Sequence, residues 1–180
     1  MKTDEKITLW SERIHEFQSS GQTCKTWDIT YIPIKRGFLY LTAVIDWHSR
    51  CIVGWEVDDT LDTRMVINAL KKAFKVAKPQ ILNSDQGCQF TSQQYIDFVK
   101  ENGIRQSMDG KSRWADNIMI ERWFRSFKYE EAYLTQYNNI KEARAAIGQY
   151  IHTTTLSGDT PHLTIRHRLN ATIQQCCCHM

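Results

Sequence analysis

The sequence predicts a mixed α/β domain, on three observations. Three β-rich runs joined by tight-turn signals fill the stretch from Thr26 to Val57. Two apolar stripes at helical spacing follow, one from Val66 to Ala77 and one from Tyr95 to Val99. Between and after them come two short apolar runs, Ile81–Ser84 and Ile104–Met108. Strands first, then helices alternating with strands, is the pattern of helices packed on a sheet.

Near the N-terminus, Leu9, Trp10, Ile14 and Phe17 stand at helical spacing, and Ser19-Ser20-Gly21 ends that short helix. Thr26 to Ile34 reads as a strand, turned by Lys35-Arg36-Gly37 into a second from Phe38 to Asp46. Ser49-Arg50 begins the next turn, and Cys51 to Val57 completes an antiparallel meander. Thr63 is expected to cap a helix whose Val66, Ala69, Leu70, Ala73, Phe74 and Ala77 form one stripe, stopped by Pro79. Ile81–Ser84 is the fourth strand. Thr91 opens a helix with Tyr95, Phe98 and Val99 inward and Gly103 as its stop. Ile104–Met108 is the fifth strand, and the polar, basic run Asp109 to Arg113 is a loop. Asp116-Asn117 then cap a helix with Ile118, Ile120 and Trp123 on its apolar side and Glu121 one turn in. Trp123, Phe124 and Phe127 are expected in the core, and Ile140 to His152 forms the last helix.

Composition sets bounds. With 42% apolar residues the 180-residue chain can build an ordinary single core, and 24% charged residues argue against wholesale disorder. A formal net charge of +3 does not announce a nucleic-acid binder, so any such surface must come from local clustering. No apolar run reaches membrane-spanning length and the first residues lack an apolar signal region, which reads as a cytoplasmic protein without a membrane partner. Cys24, Cys51 and Cys88 are scattered, while Cys176, Cys177 and Cys178 are consecutive, which is no disulfide framework. Together with His179 that run also lacks the spacing of a zinc site.

Three carboxylates stand out. Asp28 lies inside the apolar strand Thr26–Ile32, where a carboxylate needs a reason such as metal ligation. Asp85 falls just past the end of the fourth strand, where Gly87 lets the backbone turn, and Glu121 sits on the helix after Asn117. Each has an ordinary explanation taken singly: a solvent-facing strand residue, a turn former, a solvated helix residue that Arg125 pairs at i+4.

Taken in order, they carry a resemblance. Thr26-Trp27-Asp28-Ile29-Thr30-Tyr31-Ile32, Val44-Ile45-Asp46, Asn83-Ser84-Asp85-Gln86-Gly87 and Asp116-Asn117 with Glu121 resemble the catalytic core of bacterial insertion-sequence transposases. The 35 residues from 86 to 120 that separate Asp85 from Glu121 match the spacing of that family. The likeness runs from about Thr26 to Ile151. It implies a ribonuclease-H-like fold: a mixed five-stranded sheet, three antiparallel strands first, flanked by helices. Asp28, Asp85 and Glu121 would then be an Asp-Asp-Glu triad, catalytic and metal-binding together, holding two Mg²⁺ or Mn²⁺ ions for DNA cleavage and strand transfer. Two cations would also cancel the mutual repulsion of three carboxylates. Asp46 is expected as structural support rather than as a ligand. Lys111 and Arg113, with Arg122, Arg125 and Lys128 on the following helix, form a local basic group for DNA phosphates. The implied partners are insertion-element ends and target DNA, bound by a homo-oligomer. Two other readings stay open: a ribonuclease-H-like nuclease without strand transfer, and a non-catalytic DNA-binding remnant.

On this reading residues 1–25 are the remnant of an N-terminal segment, 26–152 the catalytic core and 153–180 a divergent tail expected to lack order. Family members continue past Ile151 with Tyr-Asn, then basic residues and a His; this chain has Thr153-Thr154-Thr155-Leu156-Ser157-Gly158-Asp159-Thr160. Read from the third base of the Thr153 codon, degenerate codons for these residues permit Tyr-Asn-Thr-Val-Arg-Arg-His. A frameshift near codon 153 is therefore expected, leaving residual nicking rather than autonomous transposition. Nucleotide sequencing across codons 145–180 should reveal that run in the shifted frame. If it is missing there, the tail is a divergence in its own right and Cys176–His179 becomes a site to test.

Overall fold

Only Lys35 and Arg36 separate strand β1 (Cys24–Ile34) from β2 (Gly37–Asp46), too few residues for anything but an antiparallel hairpin. Gly37 takes φ +116° there, a value side chains disfavour. The computed structural model describes residues 23–84, 92–108 and 117–156. Along the chain β3 (Ile52–Asp58), α1 (Thr63–Val76), β4 (Ile81–Ser84), α2 (Gln93–Glu101) and β5 (Arg105–Met108) follow. Then come α3 (Ile118–Phe127), a π-helical turn at Lys128–Ala132 and α4 (Ile140–Leu156). The expected helix from Leu9 to Phe17 and the residues beyond 156 lie outside the described residues.

The five strands form one sheet in the order β3-β2-β1-β4-β5. β4 lies parallel to β1, with Cys24 opposite Ile81, Lys25 opposite Leu82 and Thr26 opposite Asn83. β5 in turn runs parallel to β4. β1 starts two residues earlier than its apolar pattern suggests, because Cys24 and Lys25 complete the ladder with β4. Among the described residues no helix is long and apolar enough to cross a membrane.

The described residues fall into two compact units. One takes in residues 23–29, Thr42–Glu56 and the described residues from 62 to 120, the other Thr30–Leu41, Val57–Leu61 and residues 121–156. The first has its core where α1 and α2 cover the sheet: Trp27, Val44, Val66, Ala69, Leu70, Ala73, Leu82, Tyr95 and Val99 are all buried. Asp62, not Thr63, caps α1, its carboxylate accepting the Arg64 N–H at 3.0 Å. A carboxylate accepts these exposed amides well at the positive end of the helix dipole. Ala77, expected in the apolar stripe, is instead the exposed C-cap. Ser92 caps α2; Thr91 lies outside the described residues. Gly103 ends α2 as expected, at φ +65°, with Gly103 N–H on the Lys100 carbonyl and Ile104 N–H on that of Val99.

In the second unit Trp123 stacks on Phe127 at 5.5 Å, and Tyr150 of α4 meets both rings edge-on, so the expected aromatic core is present. Tyr150 Oη donates to Glu130 at 2.8 Å, and Arg144 donates to the Val57 carbonyl at 2.6 Å. α4 continues past His152 to Leu156. Thr153 and Thr154 fit because their hydroxyls donate back to the carbonyls of Gln149 and Tyr150, each at 2.9 Å.

Gly54 on β3 is where α1 comes closest to the sheet. A Cβ at this position would lie 2.8 Å from both the backbone nitrogen and Cβ of Ala73, and closer still to the Ala69 carbonyl oxygen. Gly54→Ala is therefore expected to force α1 outward and to cost about 1–3 kcal/mol. Urea unfolding should show a lower midpoint with an unchanged slope.

Candidate active site and its buried polar frame

Parallel pairing of β4 with β1, and antiparallel pairing of β2 on its other side, make β1 the strand where the sheet changes direction. Ligands in open α/β sheets bind outside the carboxyl ends of strands at such a change. Asp28 lies on β1 two residues beyond Thr26, which among the described residues is the last paired with β4. Its carboxylate is half-buried and accepts the Ile29 N–H at 2.7 Å. In the sequence Asp85 lies two residues beyond Asn83, the partner of Thr26. Asp85 itself, with Lys111 and Arg113, is outside the described residues, as are Cys88 and Cys176–His179.

Polar groups inside β1 and β4 are held by specific partners. The Lys25 side chain, only 2% exposed, donates to Asp46 Oδ1 at 2.9 Å. Asp46 Oδ2 accepts both the N–H and the hydroxyl of Ser49 at 2.9 Å. Burial pushes the Asp46 carboxyl up, but hydrogen bonds from Lys25 and Ser49 and the lysine charge outweigh it and hold the group below its ordinary value of 3.8. Asp46 is thus a structural partner, as expected. Thr26 Oγ1 accepts the Trp47 indole N–H at 2.6 Å. Trp27, fully buried, donates its own indole N–H to the Tyr95 hydroxyl of α2 at 3.1 Å. Burial pushes that phenol up to about 12, so it stays protonated.

Asn117, expected as a helix cap, makes a contact that nothing in the local sequence announces: its side-chain oxygen accepts from Asn83 Nδ2 at 3.1 Å, in the interior. The end of β4 is thereby tied to the start of α3. Glu121 is exposed on α3 and, among the described residues, makes no ion pair, so the i+4 bridge to Arg125 does not form. Arg122 and Arg125 are exposed on the same helix, and Lys128 is half-buried with its ammonium 5.4 Å from the Tyr31 ring centroid. Among the described residues no three His, Cys, Asp or Glu side chains group to hold a metal. Sequence reasoning missed Lys25 and the Trp27–Tyr95 and Asn83–Asn117 contacts. For the first a signal existed: a lysine inside a β-rich run demands an acidic partner, and Asp46 ends the next strand.

A model of the integrase core domain matches residues 21–113. The chain is 35% identical over 127 residues to the putative transposase InsK for insertion sequence element IS150 of Escherichia coli (strain K12), covering 69% of this chain and 45% of that protein. It is 36% identical over 134 residues to the transposase for insertion sequence element IS904 of Lactococcus lactis subsp. lactis (strain IL1403), covering 72% and 53%. The chain spans about half the length of the curated relatives it matches. The HTLV-2 integrase catalytic core domain in complex with magnesium superposes with a TM-score of 0.51 at 21% identity, over 60% of this chain and 68% of that one. A chain of the simian T-cell lymphotropic virus intasome in complex with PP2A regulatory subunit B56 gamma gives 0.54 at 19%, over 60% and 39%. At such identities the likeness is one of fold, and the fold is ribonuclease-H-like, as expected.

The Lys25–Asp46 pair has a measurable pH signature. Because the folded carboxyl is held low, its contribution is complete above 3.8 and is lost as pH falls through the depressed folded value. Asp46→Asn should cost about 2–3 kcal/mol at neutral pH, below the full cost of breaking a buried pair because Asp46 keeps 16% exposure. Chemical denaturation at a series of pH values should show this difference shrinking only below pH 3.8.

Proposed function

The chain belongs to the integrase core domain family, and on that premise we propose that it is the catalytic core of an insertion-sequence transposase, cutting and joining DNA through Asp28, Asp85 and Glu121. The observation that carries this reading is the parallel register of β1 and β4. Thr26 faces Asn83, and each is followed two residues later by an aspartate. Equal offsets on parallel strands favour neighbouring carboxylates. The Asn83–Asn117 hydrogen bond supports the third member. It links a residue two before Asp85 to one four before Glu121, and four helical residues span only about 6 Å.

The donor set fits a hard divalent cation. Asp28 offers a half-buried carboxylate within a strand, Glu121 an exposed one free of ion pairs among the described residues, and both present oxygen. Asp28, Asp85 and Glu121 would hold two Mg²⁺ or Mn²⁺ ions, which when bound supply Lewis acidity and an activated nucleophile. The residues of this chain orient and neutralise. With water as nucleophile the P–O3′ bond breaks and leaves a DNA 3′-hydroxyl; with that hydroxyl attacking a target phosphorus, a new phosphodiester forms as the target's own P–O3′ bond breaks and a target 3′-hydroxyl leaves. One constellation serves both because each step is phosphoryl transfer. Arg122 and Arg125 on α3, with Lys128 and the loop residues Lys111 and Arg113, are proposed to position the DNA backbone without reading sequence. Insertion-element ends and target DNA are the proposed substrates, handled by a homo-oligomer.

Asp28→Asn, Asp85→Asn and Glu121→Gln should each abolish Mg²⁺- or Mn²⁺-dependent nicking of element-end DNA while leaving circular dichroism and the unfolding midpoint close to wild type. Nicking that survives in any purified variant of the three would sink the assignment. Cleavage of RNA–DNA hybrid in preference to DNA would favour a nuclease without strand transfer.

A further inference from the structure

We propose that Tyr31, Phe38 and Lys128 form a platform that receives an unpaired nucleotide of the DNA end, a role that rests on the DNA-processing function proposed above. Among the described residues, the exposed large aromatics are Tyr31, Phe38, Tyr129 and Tyr133, and all belong to the second unit. Tyr31 and Phe38 are 63% and 62% exposed on the β1–β2 hairpin, with ring centroids 6.4 Å apart and edge-on. A cross-strand aromatic pair does stabilise a hairpin. Stabilisation alone, however, does not require both rings to keep nearly two thirds of their surface in water.

Cations accompany the rings. Lys128 makes no ion pair among the described residues and rests its ammonium 5.4 Å from the Tyr31 centroid. Lys35 and Arg36 are exposed in the turn between the two aromatics. The turn is held in place, since the Lys35 N–H donates to the Tyr137 carbonyl at 3.0 Å. Exposed rings interleaved with cations are how proteins grip single-stranded nucleic acid: bases stack on the rings and phosphates meet the cations. Base faces in a duplex are already stacked on one another, so the platform suits an unpaired end and not a continuous helix. A second copy of this chain fits less well, because a symmetric contact would set Lys35, Arg36 and Lys128 against themselves.

Fluorescence anisotropy with the full chain tests this, using a short blunt duplex and the same duplex with a single-stranded tail of a few nucleotides. Wild type should bind the tailed duplex about tenfold more tightly. The double variant Tyr31→Ala, Phe38→Ala should lose that preference while its affinity for the blunt duplex stays unchanged. Tyr31→Phe, which keeps the ring, should retain it. Absence of a tail preference in wild type, or its survival in the double variant, overturns the platform while leaving the wider function standing. A wild-type chain that binds neither DNA overturns both. Sedimentation without DNA covers the remaining occupant: if the double variant dissociates an oligomer that wild type forms, the surface joins copies of the chain and the proposal fails.

Discussion

Strand β1 is buried through its first four residues, so each polar group it carries must be satisfied inside the protein. That constraint organises the first unit. Lys25 calls for a carboxylate and finds Asp46 at the end of β2, which Ser49 steadies from the following turn. Thr26 is met by the indole of Trp47. Trp27 points into the α1–α2 core and is met by a tyrosine hydroxyl, so even its single polar atom is not wasted. The strand is thereby locked in register on both flanks. A one-residue slip would turn Trp27 out of the core and separate Lys25 from Asp46.

Rigid register matters for the role proposed for Asp28. A half-buried carboxylate between an apolar core and a polar edge can serve chemistry only if its backbone does not move. The partners of residues 25 to 27 hold the backbone just before Asp28, and the ladder with β4 holds it from the side. None of these partners needs to touch DNA or metal. Asp46 illustrates the distinction: it is acidic and near in sequence to a catalytic-looking motif, yet its oxygens are occupied by Lys25 and Ser49.

Helix α3 divides its labour by face. Trp123, Phe124 and Phe127 are buried, and Tyr150 of α4 closes over the first and last of them. Glu121, Arg122 and Arg125 are left exposed. An amphipathic helix anchored by three large rings presents its charged residues on a fixed scaffold. The π turn that follows, closed by the Tyr133 N–H on the Lys128 carbonyl at 2.9 Å, lets the chain leave α3 with Lys128 lying over Tyr31. Such turns add one residue to the helical step and shift the direction of the side chains around them.

The order of strands and helices, the hairpin turn at Lys35-Arg36, the Gly103 stop and the burial of Trp123, Phe124 and Phe127 were legible in the sequence, because each follows from local periodicity or backbone chemistry. So was the spacing of Asp28, Asp85 and Glu121, through its likeness to a known family. Cap positions at Asp62 and Ser92 slipped by one residue from those expected, since neighbouring polar residues all suit the role and only the backbone geometry chooses among them. The start of β1 at Cys24, the Lys25–Asp46 pair, the close seat of α1 on Gly54 and the Asn83–Asn117 bond were decided by tertiary structure alone. These features join residues 21 to 57 positions apart, or rest on how closely a helix sits on a sheet, and no local pattern encodes which distant partner a buried polar group or a bare glycine will meet.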